Sequence, residues 1–200
     1  RQWMEGRFSP RPARIEAVRK FTFEGTLTYI TNARNGMLET RARRGMFNAE
    51  FQNSDQFEIE FEDAYEAFTD PFPIATGVTI PGGGYDLQTV KASWTFGRQR
   101  RAAGQWYVEG GPFYGGDRRG FGYSAARVNL TPQLAIEPGF SVNKVRLPYG
   151  DFTATVVNSR TTYTVTPMMF VSGLVQYNSS NSSLGANVRF VPPQPHHLLS

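Results

Sequence analysis

A chain of 200 residues with 14% aromatic side chains, 20 glycines and 40% hydrophobic residues is sized for one domain or a piece of one, and leans to strands rather than helices. Its formal charge of +4 comes from 21 basic and 17 acidic residues interspersed along the chain; with no basic stripe and no recognised motif, no nucleic-acid partner is expected. The lack of cysteine excludes disulfides and thiol chemistry, and no apolar run is long enough for a membrane helix, although a mean hydropathy of -0.41 is blind to membrane strands, which need only about 9 to 11 residues with every second one apolar.

Residues 1–18 hold two prolines and scattered charge and read as an entry segment, with a poor strand near Arg14 to Val18. The run RQWMEGRFSPRPARI looks like the interior of a longer sequence, so a fragment is expected. From Phe21 the signal sharpens: Phe21, Phe23, Leu27 and Tyr29 share one parity, Thr22, Glu24, Thr26 and Thr28 the other, and NARNG turns the chain. In the run from Met37 to Gln52 the apolar parity changes partway, from Leu38 and Ala42 to Phe47, Ala49 and Phe51. A bulge near Arg44 and Gly45 would return both halves to one face and turn Arg41 and Arg43 away from it. After QNSD, Phe57, Ile59 and Phe61 alternate with Glu58, Glu60 and Glu62, the cleanest period of two in the chain.

Residues 69–85 form the longest break, rich in Pro and Gly but too apolar for a solvated linker, and such loops are usually functional or packed. Val90, Ala92, Trp94 and Phe96 make one face of the next strand, GRQRRAAG turns, residues 105–114 form another strand, and YGGDRRG reads as a loop. Four runs between Val128 and Phe190 complete the pattern, opened by LTP and separated by PYGD, TPM and NSSNSS. The whole predicts an all-β, antiparallel up-and-down meander of about ten strands. Connections alternate between short Thr-Pro corners and Gly-, Ser- or charge-rich segments, so short turns are expected on one rim and longer loops on the other, as in an outer-membrane barrel. Pro138 falls inside a strand that should be central and requires a bulge or an unpaired neighbour.

The strings FEGTLTYITN, EFQNSDQF, GVTIPGGGYD, FYGGDRRGF, RVNLTPQLAIEPGFSVN and VTPMMFVSGLVQYNSSNSSLGANVRF carry a resemblance. From about Phe8 to Phe190 the chain resembles the C-terminal barrel region of a bacterial outer-membrane family of unknown function that carries an N-terminal carbohydrate-binding family-nine-like domain. The resemblance implies a bacterial outer-membrane location and a β-barrel segment over 19–191. It also implies that strands completing the barrel are missing, since 192–200, a Pro-rich tail expected to be disordered or non-native, departs from the family's pattern. The family's activity is not settled, so the resemblance implies no role. The expected partners are the lipid bilayer, the missing strands of the same barrel and glycan, and the expected role is anchoring, with passage or docking of glycan-related ligands, in a porin-like open or incomplete barrel. No active-site motif of the family is present to carry over.

Arg41, Arg43, Glu58, Glu60, Glu62, Arg160 and Arg189 are the candidate lumen-facing polar residues. The three glutamates lie about 7 Å apart along one face, a spacing that inverting glycosidases use, but a neutralised ladder opposite Arg41 and Arg43 is the stronger reading. Trp94, Phe96, Trp106, Tyr163 and Tyr177 suit an aromatic girdle at a membrane interface, and Phe72, Tyr85, Tyr114 and Tyr149 are loop aromatics able to stack on sugar rings. The two histidines, His196 and His197, adjoin in the tail, so the body of the chain has no histidine for Ser-His-Asp catalysis, and GGGYD lacks the Lys and Ser/Thr of a phosphate loop. No catalytic residue, metal site or cofactor is expected, and the chain is not expected to be an enzyme. The alternative is a soluble β-rich ligand-binding module whose apolar faces meet in a dry core, and less favoured still is a glycoside hydrolase using the glutamates.

Overall fold

A computed structural model describes residues 2–31, 38–166, 168–180 and 182–192, and these form an all-β chain without helix. Eleven strands make one antiparallel sheet: β1 (Gln2–Phe8), β2 (Val18–Thr31), β3 (Leu38–Phe51), β4 (Gln56–Phe68), β7 (Gly83–Thr95), β8 (Ala102–Phe113), β9 (Gly116–Asn129), β10 (Leu134–Leu147), β11 (Gly150–Thr166), β12 (Met169–Asn178) and β13 (Ser183–Val191). Each pairs with its neighbours in that order, and the sheet does not close: β1 and β13 are its two edges. Two short strands, β5 (Phe72–Ala75) and β6 (Val78–Ile80), pair as a separate hairpin inside the long break between β4 and β7.

The meander expected from the alternating runs is therefore present, with one strand more than the pattern announces. β1 is faint in the sequence because QWMEGRF carries Glu5, Gly6 and Arg7 between its apolar residues; it is held by full register with β2, from Gln2 opposite Tyr29 to Phe8 opposite Phe23. The expected strand near Arg14 to Val18 is instead a connection, and β2 begins at its last residue.

The expected bulge at Arg44 and Gly45 is absent. β3 runs in unbroken register against β4 from Thr40 opposite Glu66 to Glu50 opposite Gln56, so Arg41, Arg43, Gly45, Phe47 and Ala49 share one face. The parity break has another cause: this face itself turns charged toward one end, where Arg43 lies opposite Asp63. A bulge does occur where Pro138 demands one. β9 carries an extra residue between its partners of Ile136 and Phe140, and there the proline, which has no N–H to donate, sits unpaired toward β9 while keeping register with β11.

The strands define two rims. The first carries connections 9–17, 52–55, 96–101 and 130–133 and the corner after Thr166; the second carries 69–82, 114–115, 148–149 and the turn after Asn178. NARNG, the last residue of VTP, and both histidines lie outside the described residues. The expected contrast of tight and long rims does not hold: on the second rim only Tyr114 and Gly115 separate β8 from β9, and only Pro148 and Tyr149 separate β10 from β11. Residues Gly116 to Gly120 of YGGDRRG, read as loop, belong to β9, and Gly120 allows close cross-strand approach of Glu109 and Asn143. On the first rim the six-residue segment 96–101 is tied down by the buried Asp55, whose carboxylate accepts from the Gly97 backbone N–H at 2.8 Å and from Arg100 at 2.8 Å.

Candidate functional site

Tracing partners across the sheet assigns every strand residue to one of two faces, because residues directly opposite in an antiparallel pair point the same way. One row runs Phe21, Ala49, Phe57, Trp94, Trp106, Tyr123, Phe140, Val157, Tyr177 and Leu184. The next runs Phe8, Phe23, Phe47, Ile59, Ala92, Val108, Phe121 and Val142. These rows make an apolar face continuous from edge to edge. The opposite face carries Thr22, Glu24, Asn48, Glu58, Glu60, Ser93, Lys91, Tyr107, Glu109, Ser141, Asn143, Asn158, Gln176 and Asn187.

Exposure runs opposite to the rule for a protein folded around an apolar core. Phe23 is 46% exposed while its neighbour Thr22 is 3% exposed; Trp94 is 37% exposed and Ser93 5%. Ile59, Phe61, Val90, Trp106, Val108, Phe121, Val175, Leu184 and Val188 are all exposed and all on the apolar face. An uncovered apolar surface this wide exceeds what soluble monomers carry.

Toward the second rim the apolar face ends in charge. Arg41 approaches Asp63 at 3.9 Å and Asp86 at 3.7 Å, Arg119 approaches Asp117 at 3.6 Å, and Lys144 and Arg146 lie opposite Arg119 and Asp117. This border is the feature that sequence reading missed, although the charges breaking the apolar parity at 41, 43 and 63 were its signal. The apolar band also slants. Toward the second rim its last apolar residues are Phe61 on β4, just before Asp63, and Tyr177 on β12, in the row of Phe57. That is roughly 13 Å along the strands against roughly 29 Å across the sheet, a slope of about 24°.

On the polar face the glutamates meet partners other than those expected. Arg41 and Arg43 stand on the apolar side, so the ladder they were to neutralise is served by Arg44, which ion-pairs with Glu60, and by Lys91, directly opposite Glu60. The row continues to Glu109, opposite Lys91, which lies 3.8 Å from Arg118. Glu58 lies opposite Asn48 and Ser93, and Glu62 opposite Arg44 and Thr89. Charges of alternating sign across neighbouring strands neutralise one another; such half-exposed pairs each contribute only about 0–1 kcal/mol. Arg160 sits on this face opposite Glu137, and Arg189 opposite Ser172 with its guanidinium 5.9 Å from the Phe170 ring.

Of the girdle candidates, Trp94, Trp106, Tyr163 and Tyr177 are on the apolar face and exposed, the first three toward the first rim and Tyr177 toward the second. Phe96 lies just past β7 under the Arg100 guanidinium, 5.5 Å from its ring. Three of the four loop aromatics are not free to stack on sugars. Phe72, Tyr85 and Tyr114 pack on one another, with ring centroids 5.7 Å apart for Phe72 and Tyr114 and 5.3 Å for Tyr85 and Tyr114. The reason is the β5–β6 hairpin, which folds onto the polar face at the second rim. There Val78 and the fully buried Ile80 join Tyr114, Val145 and Leu147, flanked by Phe68, Leu87 and Phe152. Tyr114 donates to Glu66 Oε2 at 2.8 Å, and burial together with this bond pushes its phenol well above the usual tyrosine value. Tyr149 alone remains exposed.

Among the described residues no three acidic or histidine side chains are grouped to hold a metal ion. No family model matches the chain, and no curated protein or solved structure matches it either.

Proposed function

We propose that this chain is part of the wall of an outer-membrane β-barrel, its apolar face against lipid tails and its polar face lining a water-filled interior, anchoring a larger protein. The observation that carries the reading is the inverted exposure: large apolar side chains on the outside of the sheet, small polar and paired charged ones on the sheltered side. A soluble sandwich needs those same apolar residues in a dry interface, and among the described residues no second sheet covers them. The charged border, the interfacial aromatics and the slant of the band each agree with strands tilted through a bilayer. The resemblance of the sequence to an outer-membrane barrel family supports the same location.

The open edges support the reading that other strands complete the wall. Every residue of β1 and nearly every residue of β13 is exposed, and unpaired backbone groups in hydrocarbon each cost several kcal/mol. Further strands must therefore pair with β1 and β13 in the membrane. The hairpin at the second rim narrows the interior on that side, which suits docking or selective passage of polar ligands such as glycans.

The test uses lipid vesicles with and without brominated acyl chains, reading the fluorescence of the native tryptophans together with cysteines introduced singly at Phe61 and Glu60. Brominated lipid should quench Trp94 and Trp106, and a water-soluble thiol reagent should label position 60 but not 61. Unquenched tryptophans, or a stable monomer in detergent-free buffer, would overturn the assignment.

A further inference from the structure

The polar face holds a recess that the wall role does not require. It lies near the first rim, has a cavity volume of about 640 Å³, and is lined by Arg98, Arg100, Arg127 and Arg160, with Glu137 the one acid among its lining residues. Two of the arginines are accounted for: Arg100 pairs with Asp55 at 2.8 Å and Arg127 with Glu137 at 3.3 Å. Among the described residues, Arg98 and Arg160 have no ion-pair partner, although Arg160 lies directly opposite Glu137 on the neighbouring strand. The size matches sites for small organic ligands, which run from about 300 to 1,000 Å³.

The backbone is distorted to build this recess. Between Tyr123 and Val128 β9 carries one residue more than β10 opposite it, and one more than β8 between Ser124 and Arg127. At the bulge Ala125 adopts φ 49°, a left-handed conformation that costs a residue with a side chain on the order of 1 kcal/mol or more. The extra residue reverses the facing of the rest of the strand: without it Arg127 would join Tyr123 and Phe121 on the apolar face, and with it Arg127 enters the recess. Bulges of this kind re-aim side chains at binding sites.

We infer that this recess binds a small organic anion carrying at least two acidic groups, which Arg98 and Arg160 engage directly while the amides of Asn158 and Gln176 take its hydroxyl or carbonyl oxygens. Planar guanidinium groups favour carboxylates through paired hydrogen bonds. The inference rests on the polar face being the wetted side of the wall, and needs no lipid contact of its own.

The probe is citrate, with acetate, inorganic phosphate and a neutral disaccharide as comparisons, titrated by calorimetry onto the protein in lipid nanodiscs. Citrate should bind at millimolar concentration or tighter, at least tenfold tighter than acetate, and more weakly as salt rises. Arg160→Gln or Arg98→Gln should weaken citrate at least fivefold, whereas Arg119→Gln, which removes the same charge from the opposite face, should leave it unchanged. Equal binding of acetate, of the neutral sugar or of phosphate, or no effect of Arg160→Gln, would overturn the site. Bromine quenching measured on nanodiscs of the same protein reports separately on the membrane reading, so either can fail alone.

Discussion

Val175 and Gln176 are adjacent on β12 and both exposed, Val175 to 52%, yet they point to opposite faces. If lipid covers the apolar face, Val175→Arg places a guanidinium inside the apolar band, one row from Tyr177. Between the interface, where arginine costs about 0–1 kcal/mol, and the midplane, where it costs about 2–4, the expected loss is about 1–2 kcal/mol, a shift of roughly 5- to 30-fold in the folding equilibrium. Gln176→Arg on the wetted face should change stability by no more than about 0.5 kcal/mol, as for other surface substitutions. Reversible urea unfolding in lipid vesicles, followed by native tryptophan fluorescence, measures both against the parent. Equal effects of the two substitutions would refute the two-solvent picture. So would the same loss for Val175→Arg in folded protein without lipid, since that would place Val175 in a dry protein interface.

Ile80→Ala should loosen the β5–β6 hairpin from the polar face by about 2–5 kcal/mol, seen as faster proteolytic cleavage within 69–82 while the sheet stays intact. Tyr114→Phe should cost about 1.5–3 kcal/mol in unfolding by removing the donor to Glu66. Because the folded state raises the Tyr114 phenol, its contribution is complete below the ordinary tyrosine value of about 10 and declines as pH rises above it; an ultraviolet titration should lose its most resistant tyrosine in Tyr114→Phe. Asp55→Ala should cost about 1–3 kcal/mol by freeing the Gly97 N–H and Arg100, and a lowered urea midpoint would register it.

The strand faces were legible wherever a period of two ran without interruption, as at Phe57 to Glu62, because the pleat makes parity a direct statement about orientation. Reading failed where one face changes character along its length. Arg41 and Arg43 share a face with Phe47 but sit past the end of the apolar band, so a change of polarity looked like a change of register, and the glutamates were assigned the wrong cations. The loop aromatics failed for another reason. Residues 69–85 read as too apolar for a solvated linker, but nothing local names the surface they pack on, and only the clustering of Ile80 with Val145, far apart in the chain, turns Phe72, Tyr85 and Tyr114 inward. The Arg127 recess was legible only in part: Pro138 announced an irregularity beside β10, but nothing at Ala125, neither glycine nor asparagine, marks that the extra residue falls on β9 and turns Arg127 over.

The slanted band acts like the thread of a screw. If the sheet is the barrel wall proposed above, each strand added beyond β13 carries its greasy outward residues a further step toward the first rim, and a strand whose pattern stayed level with Leu184 would drag polar groups below the waterline. The offset of that pattern, read from any candidate partner segment, therefore counts how many strands separate it from β13, and the full pitch sets how many are needed before the wall can meet β1.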